Sequence, residues 1–150
     1  MEKILNSDQQ ITQSATELKK MKVIYVLILA FITFGLYYPI WLLKRRNVIN
    51  NMQSSKKLKS GAIILLIMLW VIGLLIGVAS ASMGTEQSTQ NPILSLLNVV
   101  FVIVLLTQSF KVRYIFDEHF NKYLQRGVKF SKVATFFFQI LYFQYKINRL

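Results

Sequence analysis

The chain has 150 residues, 54% of them hydrophobic, and its 18 Lys and Arg against six acids give a formal net charge of +12. In a soluble protein this charge would suggest nucleic-acid binding, but here the cations flank long apolar runs, which indicates phospholipid and no nucleic acid. There is no cysteine, which excludes disulfides, thiolate nucleophiles and cysteine-ligated metal centres.

The first apolar segment follows a polar leader, residues 1–20, which lacks the pattern of a signal peptide. Residues 23–43 carry no charge and are long enough, at ~1.5 Å per residue, to cross a ~30 Å hydrocarbon core. Gly35 and Pro39 weaken a helix in this segment, so the sequence predicts a kink or break near 35–39.

The central part of the chain predicts a transmembrane hairpin. A basic connector, residues 44–60, carries six cations and no anion. Two apolar stretches follow, residues 61–80 and 92–110, joined by the small polar loop 81–91, which has no Lys or Arg. Each stretch is long enough to span as a helix.

Beyond the hairpin we expect an amphipathic cytoplasmic helix over residues 111–126, stopped near Gly127. Its apolar face is formed by Val112, Ile115, Phe116, Phe120, Tyr123 and Leu124. The last apolar segment, 133–145, would be only ~20 Å long as a helix. It is therefore short for a full span and is interpreted as re-entrant, interfacial or buried against the other helices. The fold class expected is all-α, a single membrane domain over residues 1–150.

The distribution of cations predicts the topology. The positive-inside rule places 44–60 and 111–132 in the cytoplasm and 81–91 outside. If segments 23–43 and 133–145 both dip in and return, all 18 cations lie inside, and both termini are cytoplasmic. If both segments span, both termini lie outside. The charge count favours the first arrangement and the 21-residue length of segment 23–43 favours the second.

Aromatic residues directly before a run of cations suggest a lipid-headgroup site, in which rings supply an apolar face and cations bind phosphate. These candidate residues are Tyr37, Tyr38, Trp41, Lys44, Arg45 and Arg46. The alternative is an aromatic belt with a topogenic basic stop. Small residues repeat at Gly73, Gly77 and Ala81, and Asn98 lies within the next apolar stretch, so we predict helix packing at these four positions.

No catalytic, cofactor or metal site is predicted. Asp117, Glu118 and His119 are consecutive, so on a helix they point about 100° apart and cannot all face one ligand. His119 falls on the apolar face and is expected to be packed there. Glu118 and Lys122 have the spacing of an i,i+4 ion pair.

The sequence TFGLYYPIW at 33–41, with KRR at 44–46, Asn47 and Asn50 before the next apolar stretch, resembles the bacterial domain-of-unknown-function 4234 family. The resemblance covers about residues 20–80. It implies a small protein of the bacterial cell membrane and supplies no reaction.

We therefore expect a multi-pass, non-enzymatic membrane component that binds anionic lipid headgroups or a membrane-protein partner, including a second copy of itself. Two alternatives stay open. One is a bacteriocin-immunity-like or stress-protective membrane protein, and the other is a small transporter or pore subunit.

Overall fold

The computed structural model describes residues 20–82, 92–125 and 127–149, and over these ranges its regular secondary structure is entirely helical. This confirms the predicted all-α class. The helices are α1 (Val23–Ile32), α2 (Tyr37–Asn51), α3 (Ser60–Ser82), α4 (Pro92–Asp117) and α5 (Lys132–Arg149). A π-helical extension, Glu118–Tyr123, continues α4 without interruption. Of the predicted leader, residues 1–20, only Lys20 belongs to the described ranges.

The central helices α3 and α4 confirm the predicted hairpin as a pair of packed apolar helices. They contain 23 and 26 residues, or roughly 35 and 39 Å at 1.5 Å per residue. Both are long and apolar enough to cross a membrane. The predicted loop 81–91 begins slightly later, because α3 runs to Ser82, and residues 83–91 lie outside the described ranges.

The predicted break in segment 23–43 is confirmed, and it separates α1 from α2 at residues 33–36. Phe34 and Gly35 have φ angles of 47° and 89°, and the Gly35 amide donates to the carbonyl of Ala30, five positions earlier. This is the left-handed ending that commonly terminates helices. Pro39 plays a different part from the one predicted. It lies in the first turn of α2, where the missing N–H would have no intrahelical partner.

The backbone donors of this turn find partners within it. Amides from Thr33 through Leu36 donate to carbonyls of α1 or of the turn, and the Tyr37 amide donates to Thr33 Oγ1 at 2.9 Å. The carbonyl of Phe34 accepts from Trp70 Nε1 at 3.0 Å. Trp70 stands ten residues into α3, about 15 Å from its start, so the turn reaches roughly half the length of a hydrocarbon core.

Helices α1 and α2 consequently run out to this turn and back. Met21, just before α1, lies with its sulfur 3.9 Å from the Tyr37 hydroxyl, and its carbonyl accepts from Asn148 Nδ2 at 2.7 Å. Segment 23–43 is therefore a folded-back helical pair. The positive φ angles at Phe34 and Gly35 exclude one continuous helix over this segment, and whether the segment crosses a membrane stays a prediction.

Residues 44–60, the predicted basic connector, divide into two parts. Helix α2 continues through Asn51, and residues 52–59, here called the basic loop, join it to α3. Asn50 closes this loop onto the helix. Its Nδ2 donates to Leu58 O at 3.0 Å, and its Oδ1 accepts from Leu58 N at 2.7 Å. Arg46 Nε donates to the same carbonyl at 3.0 Å.

The amphipathic helix predicted at 111–126 is confirmed as a continuation of α4, but it ends at Tyr123 rather than at Gly127. The chain leaves it through two left-handed residues, Gln125 (φ 50°) and Gly127 (φ 63°). Most of the predicted face is buried, and His119 is packed within it, with 4% of its surface exposed. Tyr123 is an exception, because its side chain is 46% exposed.

The C-terminal helix α5 is longer than the predicted segment 133–145 and is bent at Gln139, whose φ of 41° is not helical. It packs against α4 and α1 rather than crossing beside them as a third long apolar helix. Phe143 of α5 stacks edge-on against Phe116, with ring centroids 5.8 Å apart. The core thus lies at one end of the molecule, where α2, α5 and the distal part of α4 meet.

Candidate lipid-facing site

A buried polar network ties α2 to α5. Gln144 Oε1 accepts from Trp41 Nε1 at 3.2 Å and from the Arg45 guanidinium at 2.9 Å. Gln144 Nε2 donates to Asn148 Oδ1 at 3.0 Å, and Asn148 in turn donates to Met21 O. The Arg45 guanidinium also lies 4.6 Å from the Trp41 ring centroid, within the range of a cation–π contact.

This network is interior. Arg45 is 6% exposed, and Trp41 and Gln144 are fully buried. A buried cation is tolerated only where hydrogen bonds replace its water, and here a neutral amide oxygen and an aromatic face supply part of that replacement. The arrangement orients α1, α2 and α5 relative to one another.

A second polar contact fixes the basic loop against the π-helical extension. Glu118 Oε2 accepts three hydrogen bonds, from Ser54 Oγ, Ser55 N and Ser55 Oγ, at 2.8, 2.8 and 3.1 Å. The predicted Glu118–Lys122 pair is present at 3.6 Å through the other carboxylate oxygen. The sequence did not indicate that Glu118 also binds the loop, since the serines lie more than 60 residues away.

Glu118 and His119 lie beyond the apolar part of α4, which ends at Phe110. The hydrogen bonds from Ser55 and Ser54 lower the pKa of the Glu118 carboxyl to about 2, so the carboxylate stays charged at neutral and mildly acidic pH. His119 Nδ1 accepts from the Gln53 amide at 3.2 Å. Burial, and then the nearby Lys57, lower the pKa of His119 below its ordinary value, so it stays neutral at pH 7.

An open groove of about 530 Å³ lies where the basic loop meets α4. We call it the interfacial groove. Its lining residues are Lys56, Ile103, Leu106, Thr107, Phe110, Lys111, Arg113 and Tyr114. Apolar residues line one end and three cations line the other.

The cationic end of the interfacial groove is held in place. Lys56 Nζ lies 4.2 Å from the Tyr114 ring centroid, and the Lys56 amide donates to Ser54 Oγ at 3.2 Å. Arg113 Nε donates to Phe130 O at 2.8 Å. A guanidinium has five N–H donors, so its two amino groups remain available to a ligand.

A smaller cleft of about 290 Å³ lies beside the 33–36 turn, between α3 and α4. Phe34, Trp70, Gly73 and Asn98 contribute to its walls, and the remaining lining residues are Leu69, Leu74, Leu94, Leu97 and Phe101. The cleft is therefore largely apolar, with one amide side chain.

The six residues predicted as a headgroup site do not form one exposed surface. Tyr37, Trp41 and Arg45 are buried, and Tyr38 and Arg46 are half-buried. Lys44 alone among the six is exposed. The reason is that α2 packs against α1, α3 and α4 and is hydrogen-bonded to α5, so that its aromatic side chains and Arg45 are enclosed.

Of the four positions predicted for helix packing, Gly73 and Asn98 line the cleft between α3 and α4. A Cβ placed on Gly73 would stand 3.9 Å from Leu94 Cδ1, an ordinary contact, and one placed on Gly77 would meet nothing within 4 Å. Ala81 is exposed. Within the described residues the stripe of small side chains thus leaves room beside it, and its packing partner stays a prediction.

Sequence reasoning missed the interfacial groove, although one signal was present. On a helix, Ile103, Thr107, Phe110 and Tyr114 recur at intervals of three or four residues, and Lys111 and Arg113 follow the apolar run directly. The contribution of Lys56 could not be found in this way, because it depends on how the basic loop folds onto α4.

Comparison with protein-family models, with curated proteins and with solved structures finds no match. The resemblance of residues 20–80 to a bacterial membrane family consequently stays a prediction.

Proposed function

We propose that this chain is a multi-pass, non-enzymatic component of the bacterial cell membrane that binds anionic lipid at its basic end. The observation that carries the proposal is the exposure of α3 and α4. Only 11% of the most apolar stretch of α3 and 17% of that of the α4 helix are buried within the molecule. A core helix of a soluble protein would be mostly buried, whereas lipid covers such surfaces at no cost.

The position of the polar groups supports a structural rather than a catalytic role for them. Arg45, Gln144 and Asn148 bind one another, and Glu118 binds the serines of the basic loop. In each case the charged or amide side chain joins two elements: Arg45 joins α2 to α5, and Glu118 joins the π-helical extension to the basic loop. Together these contacts hold α2, α5 and the basic loop at one end of the apolar hairpin.

The same contacts support the expected orientation. Met21 lies beside Asn148, and the basic loop lies beside Glu118, so the start of α1, the basic loop and the end of α5 gather at one end of the hairpin. These three regions hold seven of the 15 cations of the described residues. The other eight lie in α2, in α4 beyond Phe110 with its π-helical extension, and in residues 127–132. The positive-inside rule would place this end in the cytoplasm.

Single-cysteine labelling tests the proposal, because the natural chain has no cysteine. Lys22→Cys and Lys129→Cys should react with a membrane-impermeant maleimide from one face of sealed vesicles, and Ser88→Cys from the opposite face. Labelling of all three from the same face, or extraction of the protein by alkaline carbonate, would refute membrane crossing. Turnover of a lipid or peptide substrate by the purified protein would refute the non-enzymatic role.

A further inference from the structure

We infer that the interfacial groove binds one anionic phospholipid, with the phosphate against Lys56, Lys111 and Arg113 and an acyl chain against Ile103 and Phe110. This inference rests on the proposed membrane residence and names the site and the lipid class. It differs from the headgroup site predicted at residues 37–46, whose rings and Arg45 are largely enclosed by protein.

The groove has the length and polarity order that such a lipid requires. From Ile103 to Tyr114 the helix rises about 16 Å at 1.5 Å per residue. The residues that this stretch contributes to the groove through Phe110 are apolar apart from Thr107, whose hydroxyl donates to the Ile103 carbonyl of its own helix at 2.8 Å. The change to cations comes at Lys111, one residue later. Chain and headgroup would therefore meet surfaces of matching character in a single site.

The cations are brought together by the fold rather than by sequence proximity. Lys56 reaches the groove from the basic loop, which Glu118 holds through Ser54 and Ser55. The loop therefore brings a cation from a separate part of the chain to the two that α4 supplies. Preorganisation of this kind reduces the ordering cost of binding.

The apolar wall distinguishes a phospholipid from other anions. Inorganic phosphate would use only the cationic end and leave Ile103 and Phe110 uncovered. A zwitterionic lipid would place a second, positive group among Lys56, Lys111 and Arg113, which is unfavourable. A phospholipid with a net negative charge, such as phosphatidylglycerol, satisfies both ends.

Lipid binding to the full chain in detergent can be measured by native mass spectrometry with added phosphatidylglycerol or phosphatidylcholine. Two double variants remove the same charge. The first, Lys56→Gln/Lys111→Gln, alters the groove, and the control, Lys59→Gln/Lys132→Gln, alters exposed lysines that do not line it. Since each cation near an anionic surface contributes ~1 kcal/mol, the groove variant should bind phosphatidylglycerol roughly tenfold or more weakly.

A third variant, Thr107→Trp, keeps the charge and fills the groove, so it should also lose the bound phosphatidylglycerol. Circular dichroism checks the fold of every variant. Should the lysine variant not fold, Thr107→Trp and the preference of the natural chain for phosphatidylglycerol decide the matter.

Equal effects of the two lysine variants, or equal binding of both lipids by the natural chain, would overturn the inference. Displacement of lipid by millimolar inorganic phosphate at constant ionic strength would instead identify the free ion as the ligand. A protein that alkaline carbonate extracts from membranes fails the proposed function itself. A protein that stays in membranes but shows no groove effect fails only this inference.

Discussion

Replacing Gln144 by Leu removes the amide oxygen that accepts hydrogen bonds from Trp41 and Arg45 of α2. Gln144 is fully buried, and its Oε1 accepts from Trp41 and Arg45 at 3.2 and 2.9 Å. Leucine has a similar volume, so the substitution creates little cavity. It leaves the indole N–H and the guanidinium, both held in the interior, without this oxygen.

The expected loss of stability follows from those two donors. A buried neutral donor left without its acceptor costs roughly 1–3 kcal/mol. A hydrogen bond from a charged donor to a neutral acceptor contributes more, roughly 1.5–3 kcal/mol. The two costs overlap because one oxygen serves both donors, so Gln144→Leu should destabilise the protein by about 2–4 kcal/mol. For a chain of this size that corresponds to a fall of roughly 10 °C in the unfolding midpoint.

Thermal unfolding in one detergent, followed by circular dichroism, measures the effect. Gln108→Leu is the matched control: Gln108 is also buried, at 3% exposure, but within the described residues its Oε1 has no hydrogen-bond partner. This control should change stability by less than about 1 kcal/mol or increase it. Equal midpoint losses for the two variants would refute the reasoning. Adding Arg45→Met to Gln144→Leu should recover part of the loss, since the buried charge is then removed as well.

Three further predictions concern the turn, the histidine and the basic loop. Phe34→Gly should stabilise by about 1 kcal/mol, because Phe34 has a φ of 47°, whereas Phe31→Gly, in α1, should destabilise; unfolding midpoints of the pair test this. The pKa of His119 is lowered by burial, so the unfolded chain binds protons first and stability should fall as the pH drops below about 6.5; midpoints between pH 7.5 and 5 should show this in the natural chain and not in His119→Asn. Glu118→Gln should speed tryptic cleavage in the basic loop severalfold, while Lys122→Gln, which keeps the serine bonds, should not.

The hairpin, the break in segment 23–43 and the burial of His119 could be predicted from the sequence, because each depends on residues close together in the chain. The hairpin followed from two uninterrupted apolar runs. The break followed from Gly35, which weakens a helix, whereas Pro39, the other residue expected to interrupt it, lies in the first turn of α2. The burial of His119 followed from helical periodicity. These features need no knowledge of what lies elsewhere in the chain.

Contacts between distant segments could not be obtained in this way. The Arg45–Gln144 bond joins residues 99 positions apart, and the Ser55–Glu118 bond joins residues 63 apart. In the sequence, an Arg that follows a Trp at the end of an apolar run has the pattern of an interfacial cation. Nothing in the sequence indicates that a glutamine far along the chain will enclose that cation. For the same reason the sequence did not predict that Lys56 lines the groove. It also did not predict that α2 continues through residues 44–51, whose polar and basic composition is typical of a connector.

The bond between Arg45 and Gln144 also imposes an order in time. At the usual 5–20 residues per second of synthesis, roughly 5–20 s separate the appearance of the cation from that of its amide partner. During that interval α1 and α2 lack the residue that holds them to α5, so their attachment to α5 can form only after translation has passed Gln144. A ribosome that stalls before α5 would release a chain whose hairpin is apolar enough to insert but whose α1 and α2 lack their partner helix α5.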